Sequence, residues 1–115
     1  MYKKAKDCAK KNESNCWGGN GTFSIKFLTD RDGLYNHGRM FAHVTLPVGC
    51  SIGPHTHVDE TDFYYIIKGE GILNDNGREI VVREGDICYA GNGEFHALAN
   101  NSDTDLEMIT LIAEK

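Results

Sequence analysis

The feature that most constrains this chain is its cadence: from Thr22 onward, short runs rich in alternating apolar residues are broken at regular intervals by glycine-bearing turns. The runs fall at residues 22–28, 39–46, 62–68, 71–74, 78–82, 86–90, 96–99 and 106–113. Period-two alternation over so few residues suits a half-buried strand, and a succession of such runs predicts an all-β sandwich or barrel. The punctuation is glycine, with 13 against 2 prolines. Asn74-Asp75-Asn76-Gly77 has the chemistry of a hairpin turn that needs positive φ, and Arg83-Glu84-Gly85-Asp86 closes the next connection in a similar way. Sequential antiparallel hairpins are therefore expected. Helical periodicity is confined to residues 2–11, where Ala5, Cys8 and Ala9 follow one stripe, and one or two helical turns are expected there.

At 115 residues the chain has room for one core. We expect an N-terminal extension over residues 1–21 that packs on a barrel domain over residues 22–115, with Trp17, beside a run of glycines, as the anchor. The charge is uneven: the net value is −5, but the first thirteen residues carry +3 and the remainder −8. So acidic a body disfavours a nucleic-acid backbone as partner, and the lysine-rich start fits a solvated terminus. No apolar window approaches the length of a membrane span, and the lysines are followed by polar residues rather than by a signal-peptide core, so a cytoplasmic protein without membrane contact is expected. Cys8, Cys16, Cys50 and Cys88 form no C-x-x-C pair and read as reduced structural thiols.

Three of the five histidines carry the chemistry. In Gly53-Pro54-His55-Thr56-His57 the two imidazoles are two residues apart, so on extended backbone they project from one face and can share an ion. Asp59, Glu60 and Asp62 follow at once, ahead of the aromatic run Phe63-Tyr64-Tyr65. His96 follows Gly91-Asn92-Gly93, where only a closed barrel would return it to the first pair.

The spacing resembles that of the cupin superfamily. Gly49, His55, His57, Asp62 and Gly69 follow its first signature, with Asp62 where the pattern has glutamate; Gly85, Gly91, Gly93, His96 and Asn100 follow the second, with Gly91 in place of proline. Together they span residues 49–100. The resemblance implies a cupin-type double-stranded β-helix, a jelly-roll barrel of two antiparallel sheets, with His55, His57, His96 and Asp62 as ligands of one divalent transition ion. Iron, manganese, nickel, cobalt and zinc all suit such a donor set. Aspartate is one methylene shorter than glutamate, so Asp62 must draw the ion closer, reach it through water, or leave the site, with Glu60 as the substitute. Glycine at position 91 gives up the fixed φ of proline.

Alternation puts Tyr64 and Ile66 on the Asp62 face and Glu94 on the His96 face, which makes Tyr64 and Glu94 candidate substrate-binding residues. His43 reads as a sheet-face residue and His37 as a surface one. The stripe Phe63, Tyr65, Ile67 would face outward, and left in water it would be sticky, so a homodimer is expected. The resemblance implies a small metalloenzyme of dioxygenase, decarboxylase or isomerase type acting on a compact oxygen-rich metabolite. The alternative is a non-catalytic module that binds or senses a small molecule.

Overall fold

Ten strands form because the alternating runs can bury one face each. The computed structural model describes Met1–Lys115. The strands are β1 (Lys10–Ser14), β2 (Thr22–Thr29), β3 (Gly38–Leu46), β4 (Ser51–Thr56), β5 (Glu60–Lys68), β6 (Glu70–Asp75), β7 (Arg78–Arg83), β8 (Ile87–Ala90), β9 (Phe95–Ala99) and β10 (Leu106–Glu114). They pair antiparallel in two sheets, of order β1-β2-β3-β10-β5-β8 and β4-β9-β6-β7. The chain is therefore all-β, as the alternation predicts, and a two-sheet jelly roll, as the resemblance implies; the expected sequential hairpins form only along β1-β2-β3 and at β6-β7, because the other consecutive strands lie in different sheets. Asn76 takes the positive φ that the β6–β7 turn requires, and its neighbour Gly77 does the same.

The inward faces supply the core. Leu46, Ile66, Leu98, Leu106 and Met108 are among its most buried side chains and come from β3, β5, β9 and β10. Burial of several large aliphatic side chains, each contributing about 1.5–3 kcal/mol relative to exposure, holds the two sheets face to face. On β3, Ala42, Val44 and Leu46 face in while His43 faces out and meets Glu107 at 2.8 Å. On β5, Tyr65 is exposed and Phe63 and Ile67 are half-buried, next to the exposed Ile87 and Tyr89 of β8. All four cysteines are unpaired, and no helix is long and apolar enough to cross a membrane.

Of the one or two helical turns expected over residues 2–11, a single 3-10 turn forms at Ala5–Asp7, and β1 then runs antiparallel to β2 in the register Lys10↔Lys26 to Ser14↔Thr22. A two-turn helix would have to bear the cost of nucleation on three small side chains, whereas the free edge of β2 offers ready hydrogen-bond partners.

β4 was absent from the expected strands because it contains Gly53-Pro54. Proline removes a ladder donor, so it is tolerated only at an edge or a bulge. Pro54 has both: β4 is the edge of its sheet, and its register with β9 shifts between Ile52 and His55.

Candidate metal centre

Two strands of one sheet and one strand of the other converge on a single point. After the shift at Gly53-Pro54, His55 of β4 lies directly opposite His96 of β9. His57 follows β4, held by its own N–H donating to the Glu94 carbonyl and by its carbonyl accepting from Gly93. Asp62 arrives from β5 across the barrel. These four side chains are buried, and one ligand atom from each lies within 4.8 Å of all the others.

The hydrogen bonds define which atoms converge. His55 Nδ1 lies 2.8 Å from the Gly53 carbonyl, which can only accept, so Nδ1 carries the proton and Nε2 is a bare lone pair in the neutral ring. His57 Nδ1 likewise donates to the Glu60 carboxylate at 2.6 Å. His96 Nε2 sits 3.1 Å from both other Nε2 atoms, and Asp62 Oδ2 lies 3.3 Å from those of His57 and His96 and 3.9 Å from that of His55. Two lone pairs, a third imidazole edge and an anionic oxygen thus face one another with at most one proton among the neutral rings to share. Buried acceptors without donors are costly, and a cation at their centre relieves all of them. The donor set therefore fits a transition ion, with His55, His57, His96 and Asp62 as the residues that could hold it. His96 Nδ1 has no protein partner at all.

Asp62 keeps its place despite the shorter side chain. The Thr110 hydroxyl of β10 donates to Oδ1 at 2.9 Å and leaves Oδ2 aimed at the imidazoles. Burial alone would raise the Asp62 carboxyl, but without an ion any imidazole that takes up a proton on Nε2 donates to the carboxylate, and the three rings together outweigh burial and hold it well below the usual carboxylate range. Glu60 is not the substitute ligand, because it faces the far nitrogen of His57. Arg39 of β3 grips it through two bonds of 2.8 and 2.7 Å. Arg39 first, and His57 after it, lower Glu60 to about 2, against the effect of its partial burial. His57 in turn is pushed up, chiefly by Asp62, against burial and with help from Glu60.

Of the two candidate substrate residues, Tyr64 reaches the site. Its ring stacks on His96 with centroids 4.6 Å apart, and burial raises its hydroxyl well above the ordinary value. Glu94 does not. Its carboxylate accepts from the Gly91 N–H at 2.8 Å and from the Asn76 amide at 3.2 Å, in an exposed turn. Glycine at position 91 thereby supplies a donor that proline lacks, so the departure from the signature is matched by a side-chain bond that fixes the same turn. His37 is exposed in the β2–β3 connection.

A cavity of about 280 Å³ opens over the His55, His57 and Asp62 side of the cluster. Its wall is largely apolar, with Phe23, Val44, Ile52 and Met108 among its residues, and Arg39 is the only lysine or arginine in it. Trp17 stands at this cavity as well, its ring stacked on His55 at 5.3 Å and 14°. The sequence marks Trp17 only as an anchor of the extension and gives no signal for Arg39 or Thr110, whereas Glu60, three residues after His57, stands out as an alternative ligand.

Comparison with known proteins agrees with this architecture. The family profile described as "Cupin domain" matches residues 42–112. The chain is 39% identical over 99 residues to a protein of Thermotoga maritima named oxalate-binding protein, covering 86% of this chain and 82% of that one. A crystal structure described as a predicted oxalate decarboxylase from Thermotoga maritima superposes with a TM-score of 0.94 at 35% identity over the full length of both chains. The cupin domain of Schizosaccharomyces pombe Cnp3 shares the fold alone, with a TM-score of 0.74 at 10% identity over 91% of this chain and 69% of that one. Two antiparallel sheets enclosing a three-histidine, one-carboxylate cluster, together with the family match over most of the barrel, show that the chain belongs to the cupin family.

Proposed function

We propose that this chain binds one divalent transition ion through His55, His57, His96 and Asp62 and uses it to capture a compact, oxygen-rich acid of the dicarboxylate class. The observation that carries this reading is the convergence of bare imidazole nitrogens on Asp62 Oδ2 inside a small, mostly apolar cavity. A bound ion would supply positive charge and open coordination positions for donor oxygens. The protein would supply the largely apolar wall that strengthens that attraction. The relative named oxalate-binding protein supports the ligand class.

Turnover of the ligand is the second reading, favoured by the similarity to a predicted oxalate decarboxylase and by Tyr64 beside His96. Binding takes precedence because the carboxylates near the cluster are committed elsewhere: Glu60 to Arg39 and His57, Glu94 to the Gly91 turn, and the cavity-lining Glu13 to Lys11 at 2.7 Å. A general acid or base needs a group free to exchange its proton. The test is calorimetry of cobalt- or manganese-loaded protein against oxalate, malonate and succinate, beside metal-free protein. Binding that is metal-dependent supports the proposal, and equal binding to both forms overturns it. Formate or carbon dioxide release in the same mixtures would promote the second reading.

A further inference from the structure

Residues 15–20 cross the edge strand β4 as a strap, and the strap is built at some conformational expense. Asn15 and Trp17, neither of them glycine, both adopt left-handed backbone conformations, with φ of 51° and 56°. That region is sparsely populated for an aromatic residue, and strain of this kind persists only where the surroundings enforce it. Here they do. Asn15 N–H donates to the Gly21 carbonyl and its side-chain oxygen accepts from Gly21 N–H, while Asn20 N–H donates to the Ser51 hydroxyl and Ser51 N–H donates to the Asn20 carbonyl. The strap lies so close to β4 that a Cβ on Gly53 would stand 2.0 Å from the Trp17 carbonyl oxygen.

This strained backbone carries an indole that the core does not need. Trp17 is 63% exposed, yet its ring lies nearly parallel to that of His55, which is itself only 9% exposed. The same strap presses on Gly53, whose carbonyl holds the proton of His55 Nδ1. Trp17 therefore covers one ligand candidate from the solvent side and forms part of the wall of the cavity through which the cluster is reached. A large, rigid, partly wet ring on a fixed strap beside a small cavity limits what can enter.

We infer that Trp17 is the gate of this site, the residue that sets the size of the ligand admitted and slows exchange with solvent. The inference rests on the metal-site reading above, and its test separates the two. Wild type, Trp17→Ala and Trp17→Phe are loaded with Co²⁺ alone, and equilibrium affinity is measured beside the rate at which an aminocarboxylate chelator strips the ion. A gate predicts equilibrium affinity within about threefold of wild type in Trp17→Ala, stripping faster by about tenfold, and partial rescue by Trp17→Phe. The preference of the loaded protein for oxalate over succinate should shrink in parallel. Unchanged stripping rates overturn the gate, and so does a loss of equilibrium affinity as large as the gain in rate, because Trp17 would then only buttress His55. Faster stripping in a protein that binds no dicarboxylate leaves the gate standing and removes the ligand reading. Wild type that takes up no Co²⁺ overturns both.

Discussion

At position 62 a short carboxylate occupies a place where a longer one would be expected, and Thr110 makes that workable. By donating to Oδ1 from the neighbouring strand it fixes the rotation of the carboxylate, and rotation is what a shorter arm can least afford to leave free. Histidine loss should be more severe: His57→Ala or His96→Ala is expected to lower metal occupancy by about tenfold or more, measured by elemental analysis of freshly purified protein. Glu60 acts through His57. Glu60→Gln weakens the acceptor for Nδ1–H and strands Arg39, so metal affinity is expected to fall about 10–100-fold in a competition titration, while an intact circular dichroism spectrum shows that the fold persists. Another titration belongs to Cys88, which burial, with some help from nearby carboxylates, pushes up to about 11 from an ordinary thiol value of 9.0. The unfolded thiol ionises first, so the contribution is fully present below pH 9 and is lost as pH rises towards 11. The stability difference between wild type and Cys88→Ala, from urea unfolding at each pH, should therefore shift against wild type by up to about 2–3 kcal/mol across that window.

At the scale of elements, the chain shows where local pattern suffices and where it does not. Strands β2, β3 and β5 to β10 were legible because each buries alternate residues, and the convergence of His55, His57, Asp62 and His96 was legible because a fixed barrel turns sequence spacing into distance. β4 was hidden by Gly53-Pro54, whose meaning lies in a bulge on an edge strand. β1 was hidden by lysines and polar residues, since its reason for being a strand is the open edge of β2 rather than any preference of its own. Trp17 and Arg39 reach the site through pairings remote in sequence, and no spacing rule announces them. Gly53 ties two elements together, so Gly53→Ala is expected to destabilise the protein by about 1–3 kcal/mol in thermal or urea unfolding, because the new methyl group and the Trp17 carbonyl cannot occupy the same space.

For the molecule as a whole, the two sheets differ in what they leave uncovered. Tyr65, Ile87 and Tyr89 lie exposed on neighbouring strands at the β8 end of the larger sheet, with Phe63 stacked against Tyr89 at 5.6 Å. We expect this face to be covered by a second copy, so light scattering at high micromolar concentration should give twice the 12.8 kDa chain mass, and Tyr65→Asp should return it to that mass. A buried site that gathers lone pairs around an anion also predicts that the ion stabilises the whole fold. At about a hundredfold excess over its dissociation constant, a divalent metal should raise the melting temperature by about 10 °C, and a chelator should reverse the shift. The indole over His55 has one more consequence, which is optical. It is the only tryptophan in the chain, so the intrinsic emission excited at the red edge of protein absorbance comes from a single fluorophore 5.3 Å from an imidazole of the cluster. A paramagnetic ion arriving there is expected to darken that emission more than a diamagnetic one, which gives this protein a built-in lamp that reports occupancy of its own site without a label.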